Sequence, residues 1–387
     1  MSGAAPDPSH LVHGMGTALE APAWPAIAPP EAEAALARFP AAGRLVGLRW
    51  HSPRPFSAAT LVQTSRGEFL LKRHHQSLRS PEALAEEHGF IAHLGAAGLA
   101  VPEIMVATNG AGAIAQGDWS YELHRKAPGT DLYRDRPSWT PFLSHVHAHA
   151  AGAALARLHL AARDFGRPAR GPQPLVASFT ILPAADPLAA AESYVAARPA
   201  LAAFLADRPW RGELSALFAS LGGGLSERLS SQASLWTHND WHPSNLLWSQ
   251  DGEVCTIFDF GLATRTCALH DLATAIERSA IEWLRLEDGA DDGLDDGLGD
   301  AAAALAILAG YRTILPLDRA DIETVARLLP LVHIEFALSE VDYFAGILAD
   351  RAQATLAWND YLIGHARWFL SPQGRGFLSQ FENEALA

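Results

Sequence analysis

The chain has 387 residues, enough for two domains or two lobes with substantial cores. Apolar residues make up 49% and charged residues 19%, which excludes a disordered chain, and a net charge of −14 argues against nucleic acid as a main partner, because phosphate binding rests on Lys and Arg. Two cysteines give no disulfide framework and fit a reducing cytoplasm, and no apolar run approaches the roughly 20 residues that span a bilayer, so a soluble cytoplasmic protein with no membrane partner is expected.

Residues 1–29 are rich in Ala, Pro and Gly, lack the basic start and apolar core of a secretory signal, and are expected to form a loosely held tail. A helix is predicted from Pro30 to Pro40, with Glu31 and Glu33 at its positive end. Three strands follow, Leu45–His51, Thr60–Thr64 and Phe69–Arg73, as an antiparallel meander whose second turn is Ser65-Arg66-Gly67. The loop between the first two, Ser52 to Ala59, contains no glycine. A helix starting at Pro81 carries Glu86 and Glu87 at its middle, with Leu84, Phe90, Ile91 and Leu94 on the apolar face. Residues 104–107 and 119–125 are expected as strands around a glycine-rich turn at 110–117, and Lys126-Ala127-Pro128-Gly129 breaks the pattern.

Beyond residue 141 the chain becomes helical. His145–His159 is an Ala-rich helix in which only His145 and His149 share a face, and with no acidic companion they are expected to be structural or surface groups. A proline-punctuated stretch covers 164–186, and helices are predicted over 187–206 and 212–229. Leu272–Leu286 reads as a buried helix. The acidic glycine run from Glu287 to Asp300 lacks calcium-loop spacing and is expected to be an exposed loop. Residues 301–310, 319–349 and 351–370 are strongly helical, with Val332, Phe336, Leu338 and Phe344 in apolar stripes.

The chemistry concentrates at 236–261. His238, Asp240 and Asn245 precede a short apolar strand, Leu246-Leu247-Trp248; turn residues Ser249 to Gly252 follow, then a strand Val254–Phe258 and the triplet Asp259-Phe260-Gly261. Such a hairpin carries Asp240 and Asp259 to one end of a ribbon. Phosphoryl transfer needs this order of groups: a carboxylate for the attacking hydroxyl, then an amide oxygen and a second carboxylate for Mg²⁺. A metal-hydrolase fragment at His238-x-Asp240-x-His242 leaves Asn245 and Asp259 unexplained.

This stretch resembles the Brenner motif and metal-binding loop of the aminoglycoside phosphotransferase superfamily, which includes choline kinases and type II homoserine kinases. The usual His-Gly-Asp opening is His238-Asn239-Asp240 here. The resemblance implies an α+β, bilobal protein-kinase-like fold. A tail (1–29) would precede a small antiparallel-sheet lobe that clamps nucleotide phosphates (30–126) and a helical lobe with the catalytic and metal-binding loops (127–387). It implies that Asp240 is the catalytic carboxylate, that Asn245 and Asp259 hold Mg²⁺, and that Lys72, paired with Glu87, grips the phosphates of ATP. His238, His242 and Asp271 would brace the catalytic loop, His159 would pack, residues 126–129 would be the adenine hinge, and 186–232 would meet the substrate. The expected function is an ATP-dependent kinase acting on a hydroxyl of a small molecule: an aminoglycoside, an amino acid such as homoserine, an amino alcohol or a sugar. The alternative is a non-catalytic nucleotide-binding regulator on the same fold. A protein kinase is disfavoured, because no Ala-Pro-Glu follows Asp259-Phe260-Gly261.

Overall fold

The computed structural model describes residues 10–13, 19–287 and 297–387. The chain divides into two units, Met1–Gly129 with Cys255–Phe258, and Thr130–Val254 with Asp259–Ala387.

In the first unit, strands β1 (Val12–His13) and β2 (Leu19–Glu20) pair with each other, and helix α1 spans Pro29–Leu36. Then come β3 (Leu45–His51), β4 (Ala58–Thr64), β5 (Gly67–His75), helix α2 (Pro81–Ala96), β6 (Ala113–Gln116) and β7 (Trp119–Arg125). The strands β3 to β7 form one antiparallel sheet in the order β3-β4-β5-β7-β6. The β4–β5 turn uses Gly67 at φ 129°, a conformation that suits glycine. One face of the sheet buries Val62, Phe69, Leu71, Ile114 and Leu123 with Ala32, Leu36 and Phe39 from α1 and the chain just beyond it. Ser80 caps α2 through the Ala83 amide, which fixes where that helix begins.

Two expectations fail here. Residues 104–107 are not a strand: Ile104 makes a single bridge to His124, and Met105 N–H donates to Leu123 O. The strand is instead Ala113–Gln116, inside the stretch expected to be a turn, because the reversal needs only Gly117 and Asp118. Nor is the end of the presumed tail loose. Ile27 is buried in the core of the unit, and Trp24 stacks on His75 and meets Trp119 edge-on.

The second unit is mostly helical: α3 (His145–Ala162), α4 (Pro187–Ala196), α5 (Pro199–Leu205), α6 (Trp210–Leu221) and α7 (Leu225–Ser230) lead to strand β8 (Ser234–Thr237). Strands β9 (Leu246–Trp248), β10 (Val254–Ile257, which crosses the boundary between the units) and β11 (Thr264–Cys267) follow. Next come α8 (Ala268–Ser279), α9 (Trp283–Glu287), α10 (Ala301–Arg312), α11 (Arg319–Leu328) and α12 (Ile334–Asp342). The chain ends with α13 (Arg351–Leu356), α14 (His365–Trp368) and α15 (Pro372–Leu386), with wider π turns at Tyr343–Ile347 and Ala357–Gly364.

Helices α3 and α10 lie backbone to backbone. A Cβ at Gly152 would stand 2.0 Å from Ile307 O, and one at Gly310 would stand 1.9 Å from His149 O, so neither glycine can be replaced without parting the helices. Prolines break the long helices the sequence suggests: Pro199 opens α5 as a separate helix. Helix α8 starts four residues before Leu272 and ends at Ser279. Val146, expected on the packed face of α3, is exposed. The acidic run 287–300 lies largely outside the described residues; its last member, Asp300, caps α10 through the Ala303 amide. Among the described residues no helix is long and apolar enough to cross a membrane.

Candidate active site

Strand β8 pairs antiparallel with β11, Thr237 opposite Thr264, and the chain leaves β8 through His238, Asn239 and Asp240. The turn requires a left-handed residue at 239, where φ is 60°. Asparagine adopts this conformation more readily than most residues, and its side chain then works. Its oxygen accepts from the Thr237 hydroxyl (2.9 Å) and the Thr266 hydroxyl (3.1 Å), while its nitrogen donates to the Thr237, Leu262 and Thr264 carbonyls. Asn239 thus cross-links β8 to β11, which a glycine could not do.

Asp271, wholly buried on the first turns of α8, holds the same loop by its backbone. It accepts the amides of His238 (2.9 Å) and Asn239 (2.7 Å) and the Nε2 of His159 (3.0 Å). Burial raises the Asp271 carboxyl, but these donors and the nearby imidazoles more than offset that, leaving it below its usual range. His159 reaches Tyr311 Oη through Nδ1 at 2.8 Å, so it has a polar role beyond packing. His238 is fully buried, accepts from the Asp240 amide (3.2 Å), and lies against Phe260.

The Asp240 carboxylate is therefore presented by a loop fixed at both ends. Its side chain forms an ion pair with Arg278 of α8, accepts from the Asn245 amide (3.0 Å), and lies 3.5 Å from His242 Nε2. Burial works against its charge; His242 and Arg278 reverse that and hold the carboxyl well below the usual range. Arg278 is itself buried, its guanidinium 4.9 Å from the rings of both Trp139 and Phe336. Trp139 sits at φ 60°, a strained conformation for a bulky residue. Arg278 escapes a motif-based reading because it lies outside the motif and 38 positions beyond Asp240. A signal exists, however: Asp271 and Arg278 are seven apart, so they share the polar face of an amphipathic helix with Thr274.

His242 receives a hydrogen bond from, or gives one to, Ser244 at 2.9 Å and meets Asn245 Nδ2 at 3.1 Å. The Asn245 nitrogen is engaged with Asp240 O (2.8 Å) and Oδ2, which leaves its oxygen as the atom it can offer a cation. Asp259 has φ 58°, and its Oδ1 lies 3.5 Å from where a Cβ at Gly261 would stand. Arg170 donates to the Gly261 and Ala263 carbonyls and fixes the loop beyond it. An amide oxygen and a carboxylate are a fitting donor set for a hard divalent cation such as Mg²⁺. The turn between β9 and β10 is closed by Ser249, whose amide donates to Glu253 O and whose hydroxyl accepts the Asp251 and Glu253 amides.

In the first unit, Lys72 on β5 stands opposite Glu122 on β7, with Nζ 3.6 Å from Oε1. Lys72 is buried, which an ordinary strand lysine is not. No motif marks Glu122, although Ser120, Glu122 and His124 alternate along β7 and so share a face. Glu87 is buried on α2 and close enough to act electrostatically on His74 and His88. In the loop between β3 and β4, Ser52 N–H donates to Ala59 O and Pro53 O accepts from His13 N–H. At 126–129, Lys126 pairs with Glu68 and Pro128 O accepts from Thr256. Of the helices over 187–230, α4 and α5 anchor on α12, through Tyr194 Oη to Glu335 O and Leu201 N–H to Asp342.

Residues 56–317 match the phosphotransferase enzyme family. A search of the curated proteins gives no match. Among solved structures, the microcompartment-associated aminopropanol kinase superposes with a TM-score of 0.56 at 19% identity, covering 90% of this chain and 98% of that one. The aminoglycoside phosphotransferase from Alicyclobacillus acidocaldarius subsp. acidocaldarius DSM 446 gives a TM-score of 0.51 at 16% identity, covering 91% of this chain and 95% of that one. At these identities the likeness is one of fold.

Proposed function

The chain belongs to the phosphotransferase enzyme family, and from that premise we propose that it is an ATP-dependent kinase transferring the terminal phosphoryl group to a hydroxyl of a small molecule. The observation that carries this reading is the Asp240 carboxylate, ionised and presented by a loop that Asp271 and Asn239 hold rigid. Asp240 accepts the hydrogen bond of the acceptor hydroxyl, orients its oxygen for in-line attack, and takes the proton as the new P–O bond forms. Its depressed pKa makes it a weak base, so its contribution is chiefly orientation, consistent with a loose phosphoryl-transfer transition state. Arg278 and His242 face the Oδ1 of the carboxylate and fix its rotamer, and Asn245 donates to its Oδ2.

Asn245 Oδ1 and Asp259 would hold Mg²⁺, which when bound neutralises charge on the nucleotide phosphates. Lys72, paired with Glu122, would bind the α- and β-phosphates, with the buried Glu87 of α2 as the second carboxylate proposed to orient it. The acceptor classes are aminoglycosides, amino acids such as homoserine, amino alcohols and sugars. The test is ADP release by purified protein with ATP and Mg²⁺ across a panel of these hydroxyl compounds. Turnover above the ATP-only background with at least one of them is expected; no turnover with any acceptor, at protein shown to bind ATP, contradicts the reading.

A further inference from the structure

Three imidazoles converge on one buried carboxylate in the first unit. Glu122 is wholly buried; its Oε1 lies 3.1 Å from His74 Nε2, and its Oε2 lies 2.6 Å from His88 Nε2 and 3.0 Å from His124 Nε2. The elements explain why. Glu122 and His124 are two apart on β7 and so point to the same face; His74 comes from the neighbouring strand β5, and His88 descends from α2. The place is fitted around the His88 ring: a Cβ at Gly112 would stand 2.4 Å from its Nδ1, so only glycine leaves the imidazole its room.

Hydrogen bonding accounts for each contact taken singly. A carboxylate with about four lone-pair sites can accept all three, so what points to a cation is the gathering of three ligand atoms of metal-binding type at one place. The candidate ligand atoms of His88, Glu122 and His124 all lie within 4.8 Å of one another. Around a tetrahedral zinc ion with bonds of roughly 2.0–2.1 Å, ligand atoms stand about 3.3 Å apart. The observed 2.6 and 3.0 Å separations would widen by about 0.7 and 0.3 Å to reach that spacing.

We infer that His88, Glu122 and His124 form a binding site for a transition-metal dication of the zinc class, distinct from the Asn245 and Asp259 pair assigned to Mg²⁺. Two imidazoles and one carboxylate are a donor set that favours Zn²⁺ over Mg²⁺, which prefers all-oxygen ligands and retains water. A fourth position is open to His74 or water. Because His88 lies on α2 while Glu122 and His124 lie on β7, the ion would staple that helix to the sheet. The site shares Glu122 with the proposed nucleotide clamp, since Oε1 faces Lys72 at 3.6 Å, but ion binding itself needs neither nucleotide nor acceptor.

The test uses full-length protein freed of metal with a chelator. Zn²⁺ titrated against a competing indicator is expected to bind at one ion per chain and to raise the melting temperature, and Co²⁺ is expected to give the intense visible absorption of a tetrahedral site. His88→Gln and His124→Gln should each abolish stoichiometric binding while the circular dichroism of the metal-free protein stays unchanged. X-ray absorption on the wild-type zinc complex, which needs no variant, should show imidazole scattering and bonds of roughly 2.0–2.1 Å. Absence of stoichiometric binding, binding retained in both variants, or a zinc shell without imidazole would each overturn the assignment.

Discussion

Arg278, on helix α8, is ion-paired with the carboxylate of Asp240, at the loop that leaves strand β8. The same helix supplies Asp271, which holds that loop by the amides of His238 and Asn239. One helix therefore sets both the backbone and the side chain of the proposed catalytic residue.

Replacing Arg278 separates these roles. Arg278→Lys keeps a charge but loses the planar fork, and the misdirected carboxylate should lower kcat by about 10²-fold with ATP affinity little changed. Arg278→Ala leaves the half-buried Asp240 carboxylate without its partner and should also cost about 1–3 kcal/mol of stability. Steady-state kinetics with a competent acceptor, beside urea denaturation, measures both. A kcat unchanged in Arg278→Lys would remove Arg278 from the account.

Asn239 makes a sharper conformational test. Asn239→Gly keeps the left-handed turn and loses only the side-chain hydrogen bonds, whereas Asn239→Ala loses both. The alanine variant should be less stable than the glycine variant by about 1–2 kcal/mol, the usual cost of a left-handed non-glycine residue. Equal stabilities in chemical denaturation would mean that the φ of 60° is not a strain the side chain relieves.

Acid should destabilise the helical unit through its histidines. Burial lowers His270 from its usual 6.5 to about 4, and lowers His333 likewise to about 4, against the opposing pull of Asp271 and Glu277. Both stay neutral in the folded protein while the unfolded chain takes up protons near 6.5. Their stability contribution is full above that pH and is lost as pH falls towards 4. At pH 5 each should have cost on the order of 2 kcal/mol. Glu277, raised by burial, acts in the opposite sense above its ordinary 4.5, so His270 is the cleaner probe. Melting temperatures from pH 8 to pH 4 should fall, and His270→Gln should flatten the slope; a slope untouched by that change contradicts the assignment.

Lys72 should matter to nucleotide and little to acceptor. Lys72→Met is expected to lower kcat/KM for ATP by about 10²–10³-fold, as loss of one charge-stabilising donor commonly does, while KM for the acceptor holds. Bisubstrate kinetics would show it. A loss confined to the acceptor would relocate Lys72 from the phosphates.

What the sequence discloses and what it withholds follow from range. The run from His238 to Gly261 is legible because its chemistry is local: a tight turn, a short ribbon and acids at fixed spacing. The sheet is legible from alternation in β3, β4 and β5. Partners supplied from distant segments are not. Arg278 reaches Asp240 from 38 positions away, and Glu122 meets Lys72 across 50, pairs that only strand register and helix packing create. The strand at Ala113–Gln116 is hidden because four residues, Ala-Ile-Ala-Gln, carry no alternation against a glycine-rich flank. Trp24 and Ile27 lay inside a segment whose composition resembles a tail, yet two large apolar side chains suffice to dock it.

The central claim is that Asp240 orients the acceptor hydroxyl, and Asp240→Asn under single-turnover conditions tests it most directly. The account predicts that phosphoryl transfer to a competent acceptor falls by about 10²–10⁴-fold while ATP binding, measured by calorimetry with Mg²⁺, survives. Transfer at the wild-type rate in a variant that folds and binds ATP would contradict it.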